Sequence, residues 1–480
     1  MSRPTSGAEL PLGWGSMNPP AWERLSASLK GTLLLAGDEG YETARRTMRR
    51  QPVDLQPAAI VRAVGAADVA TAIAFGREHD IPTVPRSGGH CYAGRSSTSG
   101  LLVDVTPLDQ VSVADGRVTV GAGVRLGPLY GALEPYDVTL PMGTCPTVGA
   151  AGHVLGGGLG FLGRRHGLAS DRLVAAEVVL ADGSVVWCDE LREPDLLWAL
   201  RGSGGGQFGV VTTLVLATVP LPAGVSAFHV TWPYEQAAAV IGAWQEWAPR
   251  APDEVVAELR LVVPADPDEA PGVSLFGMVL DASTATGALG PVLDAVGIEP
   301  TWEIHEPGPY LPAVRRLNLL GSALPEGTIP ADLITGRSMF FDRTLPAATV
   351  SALVEGLVAD RTPGFARECT FFAWAAGYGR VPVDATAFPH REASFLVNVA
   401  TVVEDPAPPV TSAASDRLAE LWDVVHRHGT GGAYVNFPDR LLDDGETAYH
   451  GANLARLRAV KRRYDPDDWF RFPQSVTPAG

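Results

Sequence analysis

Lysine is almost missing from this chain: of 480 residues only Lys30 and Lys461 are lysine, and arginine carries the rest of the positive charge. Lys+Arg (37) is outnumbered by Asp+Glu (54), giving a net charge of −17. A fold that grips DNA or RNA needs a basic face, so nucleic acid is not an expected partner. The run Lys461–Arg463 is short, and its simplest reading is a solvated helix end. Cysteine is sparse as well, limited to Cys91, Cys145, Cys188 and Cys369 with no CxxC pair. That excludes a disulfide scaffold and a paired-cysteine zinc site. No run of about 18 apolar residues occurs, so no membrane span is expected. The opening MSRPTSGAELPLGWG has no apolar core of a signal peptide, which makes the cytoplasm the expected compartment.

What is abundant is apolar residue (46%), glycine (53) and proline (40). The length exceeds one ordinary core, so more than one domain is expected. Up to about Pro220 the pattern is α/β. Strands are expected at Ala58–Val64, Ile81–Val84, Leu101–Val105, Val118–Gly121 and Phe208–Val219, with a helix at Ala66–His79. Asp115-Gly116 and Asp182-Gly183 mark hairpins. From Pro222 to about His428 longer strands recur at Ser226–Trp232, Val255–Val263, Val273–Leu280, Thr370–Trp374 and Phe395–Val402. Helices are expected between them at Gln236–Trp247, Ala347–Val358 and Ala413–Val425, giving a mixed or antiparallel sheet covered by helices. A closing segment holds one amphipathic helix, Ala448–Arg463, and a WFRFP stretch. The fold class is therefore α+β, with residues 1–220, 221–430 and 431–480 as successive units.

Three glycine-rich loops carry the functional signal: Pro85–His90, Gly143–Gly160 and Gly202–Gly209. Gly158/Gly160/Gly163 and Gly204/Gly206/Gly209 both spell GxGxxG, but the Rossmann context is absent. Gly209 runs into a strand where the fingerprint must open a helix, and no acidic residue follows at the right distance. Glycine loops also let backbone N–H groups approach a diphosphate directly, and three of them suit a long dinucleotide such as FAD.

RSGGHCYAG (Arg86–Gly94), GTCPTVGAAGHVLGGGLG (Gly143–Gly160), GLASDRL (Gly167–Leu173), GGGQFGVVT (Gly204–Thr212), FPHR (Phe388–Arg391) and YVN (Tyr434–Asn436) occur in this order. Together they resemble the berberine-bridge-enzyme-like branch of the vanillyl-alcohol-oxidase flavoproteins, from about Pro57 to Pro478. The resemblance implies a PCMH-type FAD-binding domain at 53–220, a substrate domain, and a C-terminal segment that returns to the first. It implies bicovalent FAD, with His90 on the 8α-methyl and Cys145 on C6. Arg86, Ser87, Gly88, Gly89, Gly143, Thr147, Val148, Gly149, Gly152, His153, Gly156, Gly157, Gly158, Gly160, Asp171, Gly206, Gly209, Val211, Tyr434 and Asn436 are then cofactor-binding candidates. An imidazole with a pKa near about 6.5 is mostly neutral at pH 7 and able to attack the 8α carbon. Cys145 needs a site that favours its thiolate.

Bland readings stand beside these. His90 can be a loop histidine bonded to backbone, Cys145 a small buried apolar residue, and Cys91 a rival linker. A zinc site from His90, Cys91, His153 and His166 has no supporting spacing. Cys188, Cys369 and His390 read as structural, and no metal is expected.

The resemblance implies an oxidase: a bulky alcohol, phenol or amine of specialised metabolism loses a hydride to the flavin, a base takes its proton, and O2 is reduced to H2O2; oxidative cyclisation fits as well as simple oxidation. Val148 holds the place that the family associates with oxygen access. Many members have a tyrosine base directly after YxN, but here that residue is Phe437, which cannot take a proton. Tyr378, expected on a strand facing the flavin, Tyr434 and Asn398, near where some relatives carry an acid, are the remaining polar candidates. An oxygen-independent dehydrogenase or sugar oxidase linked through His90 alone is the alternative. A catalytically silent flavin-binding protein is a reading of another class. Neither the substrate nor the oligomeric state is legible.

Overall fold

In the computed structural model, residues 19–320 and 332–480 are described. Ala59–Arg62, Leu101–Asp104 and Thr83–Arg86 pair in parallel, in that spatial order, and Thr32–Leu34 adds an antiparallel edge. Parallel pairing forces a crossover, supplied by helix Ala66–Glu78, which buries Val69, Ala72, Ile73 and Phe75 against the sheet. The chain leaves the carboxyl end of Thr83–Arg86 directly into the first glycine loop, and ligand sites of parallel sheets open at such ends.

A five-stranded antiparallel sheet follows, in the order Val111–Ala114, Arg117–Gly121, Val210–Ala217, Leu173–Val179 and Val185–Cys188. Its first hairpin turns at Asp115-Gly116 with φ of 50° and 70°, the left-handed pair that a two-residue turn requires. Both sheets share one continuous apolar core that includes Val61, Val103, Val120, Leu173 and Leu214.

Residues from Val225 to Val403 form a seven-stranded antiparallel sheet. Its order is Trp302–Gly308, Val225–Pro233, Gly272–Val279, Val255–Val263, Phe365–Ala373, Phe395–Val403 and Leu333–Phe341. The strands alternate strictly. Leu259, Leu261, Cys369, Phe371, Phe395 and Val397 face helices Ala237–Trp247, Ala347–Val358 and Pro408–Val425, where Trp244, Leu353 and Leu418 complete the core. The opposite face looks back at the glycine loops. The α+β class expected from the sequence is the observed one, and the seven-stranded sheet is wholly antiparallel.

Three elements differ from expectation. Strands Trp302–Gly308 and Leu333–Phe341 were not foreseen. The C-terminal helix is two helices, Gly445–His450 and Leu454–Tyr464, because Gly451 takes a φ of 45° between them. Lys461 is not solvated: it is fully buried, and its Nζ donates at 2.7 Å to the carbonyls of Gln207 and Phe470 and to the Asp465 carboxylate. Burial of a lysine is tolerable only with such compensation.

Candidate active site

The three glycine loops, the polar face of the seven-stranded sheet and the C-terminal segment enclose one cavity of about 500 Å³. Its floor exists because the first two loops touch: a Cβ on Gly88 would collide with Gly149, and one on Gly149 with Gly88. Only glycine permits that approach. Gly206, Gly209 and Val211 wall one side, and Phe470 and Phe472 close it from the C-terminal segment.

His90 and Cys145, 55 positions apart in sequence numbering (145 − 90), converge on a single hydroxyl. The His90 Nε2 lies 3.0 Å and the Cys145 Sγ 3.4 Å from Thr147 Oγ1. Burial, with Arg49 and Arg125 adding, lowers the His90 pKa to about 4, so the ring is neutral near pH 7 and retains a nucleophilic nitrogen. His153 is likewise pushed down to about 4 by burial, and its Nε2 accepts the Gly143 N–H at 3.0 Å, which fixes the start of the cysteine loop.

Tyr434 and Asn436 act on the second loop. The backbone N–H groups of Gly158 and Leu159 donate to Tyr434 Oη at 2.9 and 3.1 Å, and Asn436 Nδ2 donates to the His153 carbonyl at 2.9 Å. Burial raises the Tyr434 pKa, so this phenol stays protonated. Asn398 reaches the cavity with its Oδ1 buried and without a hydrogen-bond partner among the described residues. Ser87, Gly89, Val148, Gly152 and Gly160 also line the cavity.

Other expected site residues stand outside it. Tyr378 lies on a 3₁₀ turn, Ala376–Arg380, not on a strand; its ring stacks on Trp374 at 4.3 Å and its hydroxyl donates to the Gly160 carbonyl. The turn follows from Ala375 and Ala376, which both take positive φ. It is therefore buried behind the loop. Arg86 points away, its guanidinium spent on the carbonyls of Ala44, Arg45 and Ser96. Asp171 caps Leu168 and pairs with buried Arg391 at 2.7 Å, which braces the loop from outside. Gly156, Gly157 and Gly158 meet Asn436, Phe388 and His153 instead of the cavity. Thr147 stands behind the two residues it bridges. His90, Cys91, His153 and His166 form no metal cluster, and no metal-holding group occurs among the described residues.

Sequence reading missed the far wall: Glu258, Arg260, Glu368, Thr370 and Phe372, together with Tyr92 and Arg471. The signal was present in Val255–Val263 (VVAELRLVV), where charges alternate with apolar residues on an otherwise core-like strand. Both carboxylates among the lining residues, Glu258 and Glu368, come from this sheet; the glycine-loop side contributes none. That donor set suits a diphosphate, and the cavity's size is that of a large-ligand site.

A glycine-lined cleft between an α/β flavin-type lobe and an antiparallel sheet defines an FAD-dependent oxidoreductase. The family model described as FAD binding domain matches residues 57–189, and the one described as berberine and berberine like matches 433–477. FAD-linked oxidoreductase YvdP of Bacillus subtilis is 31% identical over 95% of this chain and 99% of that protein. Glucooligosaccharide oxidase of Sarocladium strictum is 30% identical over 97% of this chain and 98% of that protein. The solved structure of Physcomitrella patens BBE-like 1 superposes with a TM-score of 0.86 at 27% identity, covering 95% of this chain and 99% of that one. Glucooligosaccharide oxidase from Acremonium strictum, whose FAD is described as 6-S-cysteinyl, 8α-N1-histidyl, gives 0.85 at 26% identity, covering 96% and 99%. The chain belongs to the berberine-bridge-enzyme-like family of FAD-linked oxidoreductases.

Proposed function

We propose that this enzyme is an oxidase that holds FAD through both His90 and Cys145, oxidises a carbon bearing a hydroxyl on a bulky, hydroxyl-rich molecule, and passes the electrons to O2 as H2O2. The observation that carries the reading is the meeting of the His90 imidazole and the Cys145 sulfur at Thr147 Oγ1. Two groups so placed can reach two positions on the benzenoid ring of one flavin, the 8α carbon on C8 and C6, with C7 between them.

Bound flavin supplies the hydride acceptor and the route to oxygen. The protein's part is to bind and orient. Arg260, Thr370, Asn398 and Glu368 offer donors and acceptors across the sheet face, which suits a sugar or a glycosylated metabolite better than a bare hydrocarbon. Relatives named as glucooligosaccharide, chitooligosaccharide and xylooligosaccharide oxidases support that substrate class. Val148 lines the cavity at the position that the family resemblance associates with oxygen access, which supports O2 as acceptor.

The test has two arms. Acid precipitation of the yellow protein should leave flavin in the pellet, and proteolysis should yield His90 and Cys145 peptides joined through one FAD mass. Colour released into the supernatant refutes the double link. Peroxide release is then measured on disaccharides and glycosylated polyketides; flavin retained without turnover on any of them favours a silent flavin binder.

A further inference from the structure

Resting on the oxidase reading above, we infer that the Glu258 carboxylate is the base that takes the substrate hydroxyl proton. Oxidation of an alcohol breaks a C–H bond, whose electron pair leaves with the hydrogen as hydride to the flavin. It also breaks an O–H bond, whose electron pair forms the C=O bond while the proton goes to a base. O2 takes the electrons from the flavin. Something must accept that proton, and the usual tyrosine is Phe437 here.

The cavity leaves few acceptors. Tyr434 Oη already accepts two backbone N–H groups and stays protonated. Asn398 is an amide and can orient a hydroxyl but not ionise. Tyr378 does not reach the cavity. Glu368 is committed to Arg260 in a 2.6 Å ion pair. Tyr92, close to Phe437 at a ring separation of 6.4 Å, has its pKa raised by burial. Glu258 has no hydrogen bond or ion pair to another side chain among the described residues.

Its place in the fold is specific. Glu258 pairs in register with Phe372 on one side and Phe276 on the other, so its carboxyl sits between two aromatic neighbours on the cavity face. Phe372 lies 5.8 Å, ring to ring, from Phe437. The carboxyl is thus one strand over from Phe372, whose ring neighbours the one that replaces the phenol. The titratable and charged groups facing Glu258 are Arg260 on its own strand, Glu368 beyond it, and Tyr378 from the turn beneath; Tyr92 comes from the opposite lobe. Burial pushes Glu258 up to about 8, with Arg260 opposing, which poises it for proton transfer near neutral pH.

The experiment uses the flavin-loaded protein and its Glu258→Gln and Glu258→Asp variants. In infrared difference spectra, a protonated-carboxyl band should titrate with a midpoint near about 8 and vanish in Glu258→Gln, whatever the substrate. With cellobiose, chitobiose and xylobiose as probes, anaerobic flavin reduction should rise with pH to a plateau, fall at least about 100-fold in Glu258→Gln with loss of the pH dependence, and recover in part in Glu258→Asp. Flavin content and visible spectrum should be unchanged. A wild-type protein without the titrating band overturns the inference, as does a Glu258→Gln variant that reduces its flavin at the wild-type rate. Where none of the three sugars reduces the flavin, the infrared titration decides. Failure to retain FAD at all strikes the oxidase reading instead, so the two failures are separable.

Discussion

At the scale of single residues, Thr147 is the position on which the proposed double attachment of flavin can be tested. Its hydroxyl lies within hydrogen-bond reach of both His90 and Cys145 and so fixes the rotamers of both. Either link should then form without the other. Cys145→Ala and His90→Ala should each keep flavin in the acid precipitate, while the double variant releases it; Thr147→Val should slow attachment when apoprotein is mixed with FAD and followed by in-gel fluorescence. Tyr434 poses a different question, because a polar residue beside a flavin invites a catalytic role. Removing its hydroxyl strands two buried N–H groups, each unsatisfied group costing about 1–3 kcal/mol. Tyr434→Phe should lower the melting temperature and loosen the flavin, and leave the pH profile of the remaining activity in place. A lost pH dependence at unchanged stability would show that the phenol itself moves the proton.

At the scale of elements, the sequence was most legible where local chemistry decides the structure. The Asp115-Gly116 turn and the alternating Val255–Val263 strand are local facts, and both stand in the fold as read. Trp302–Gly308 escaped notice because it is an edge strand with polar residues on both faces, and Leu333–Phe341 because Gly336, Arg337 and Ser338 interrupt its apolar run. The glycine side of the site was legible for the same local reason. On the sheet side only Asn398 was named, through the family resemblance: Glu258 and Thr370 are single residues on separate strands, and only strand pairing brings them to one face with it. Lys461 shows the limit most sharply, since its charge reads as solvent-facing and its partners Gln207, Asp465 and Phe470 come from two other segments. It ties the third glycine loop to the stretch that supplies Phe470–Phe472 to the cavity. Lys461→Met leaves the buried Asp465 unpaired, a loss of about 3–5 kcal/mol. The expected result is a lower melting temperature with faster amide exchange over residues 465–477; adding Asp465→Asn should restore part of the stability, since it removes the unpaired buried charge while its single amide oxygen still accepts one of the two backbone N–H groups, Trp469 or Phe470.

At the scale of the whole molecule, the buried histidines couple folding to pH. Burial lowers His153 and His390 to about 4 and His450 to about 3, and none of the three is a proposed flavin link. Unfolding returns each to an ordinary pKa near about 6.5. Between those values the unfolded chain binds protons that the native protein does not, so stability falls as the pH drops from about 6.5 toward about 4. Each histidine contributes at most about 1.4 kcal/mol per pH unit within that window. Above it all three are neutral in both states and contribute no slope. Glu258, lifted to about 8, gives a slope of opposite sign between about 4.5 and 8, so the histidine share is read as a difference: the gap in urea midpoint between wild type and a histidine variant should stay level from pH 8 to about 6.5 and change below it. His390 is the residue to vary: its ring stacks on Phe340 at 4.5 Å, away from the cavity wall, so His390→Gln shifts the absolute stability while removing one histidine's share of the slope. A slope unchanged in that variant would mean that the imidazole is already protonated in the native core.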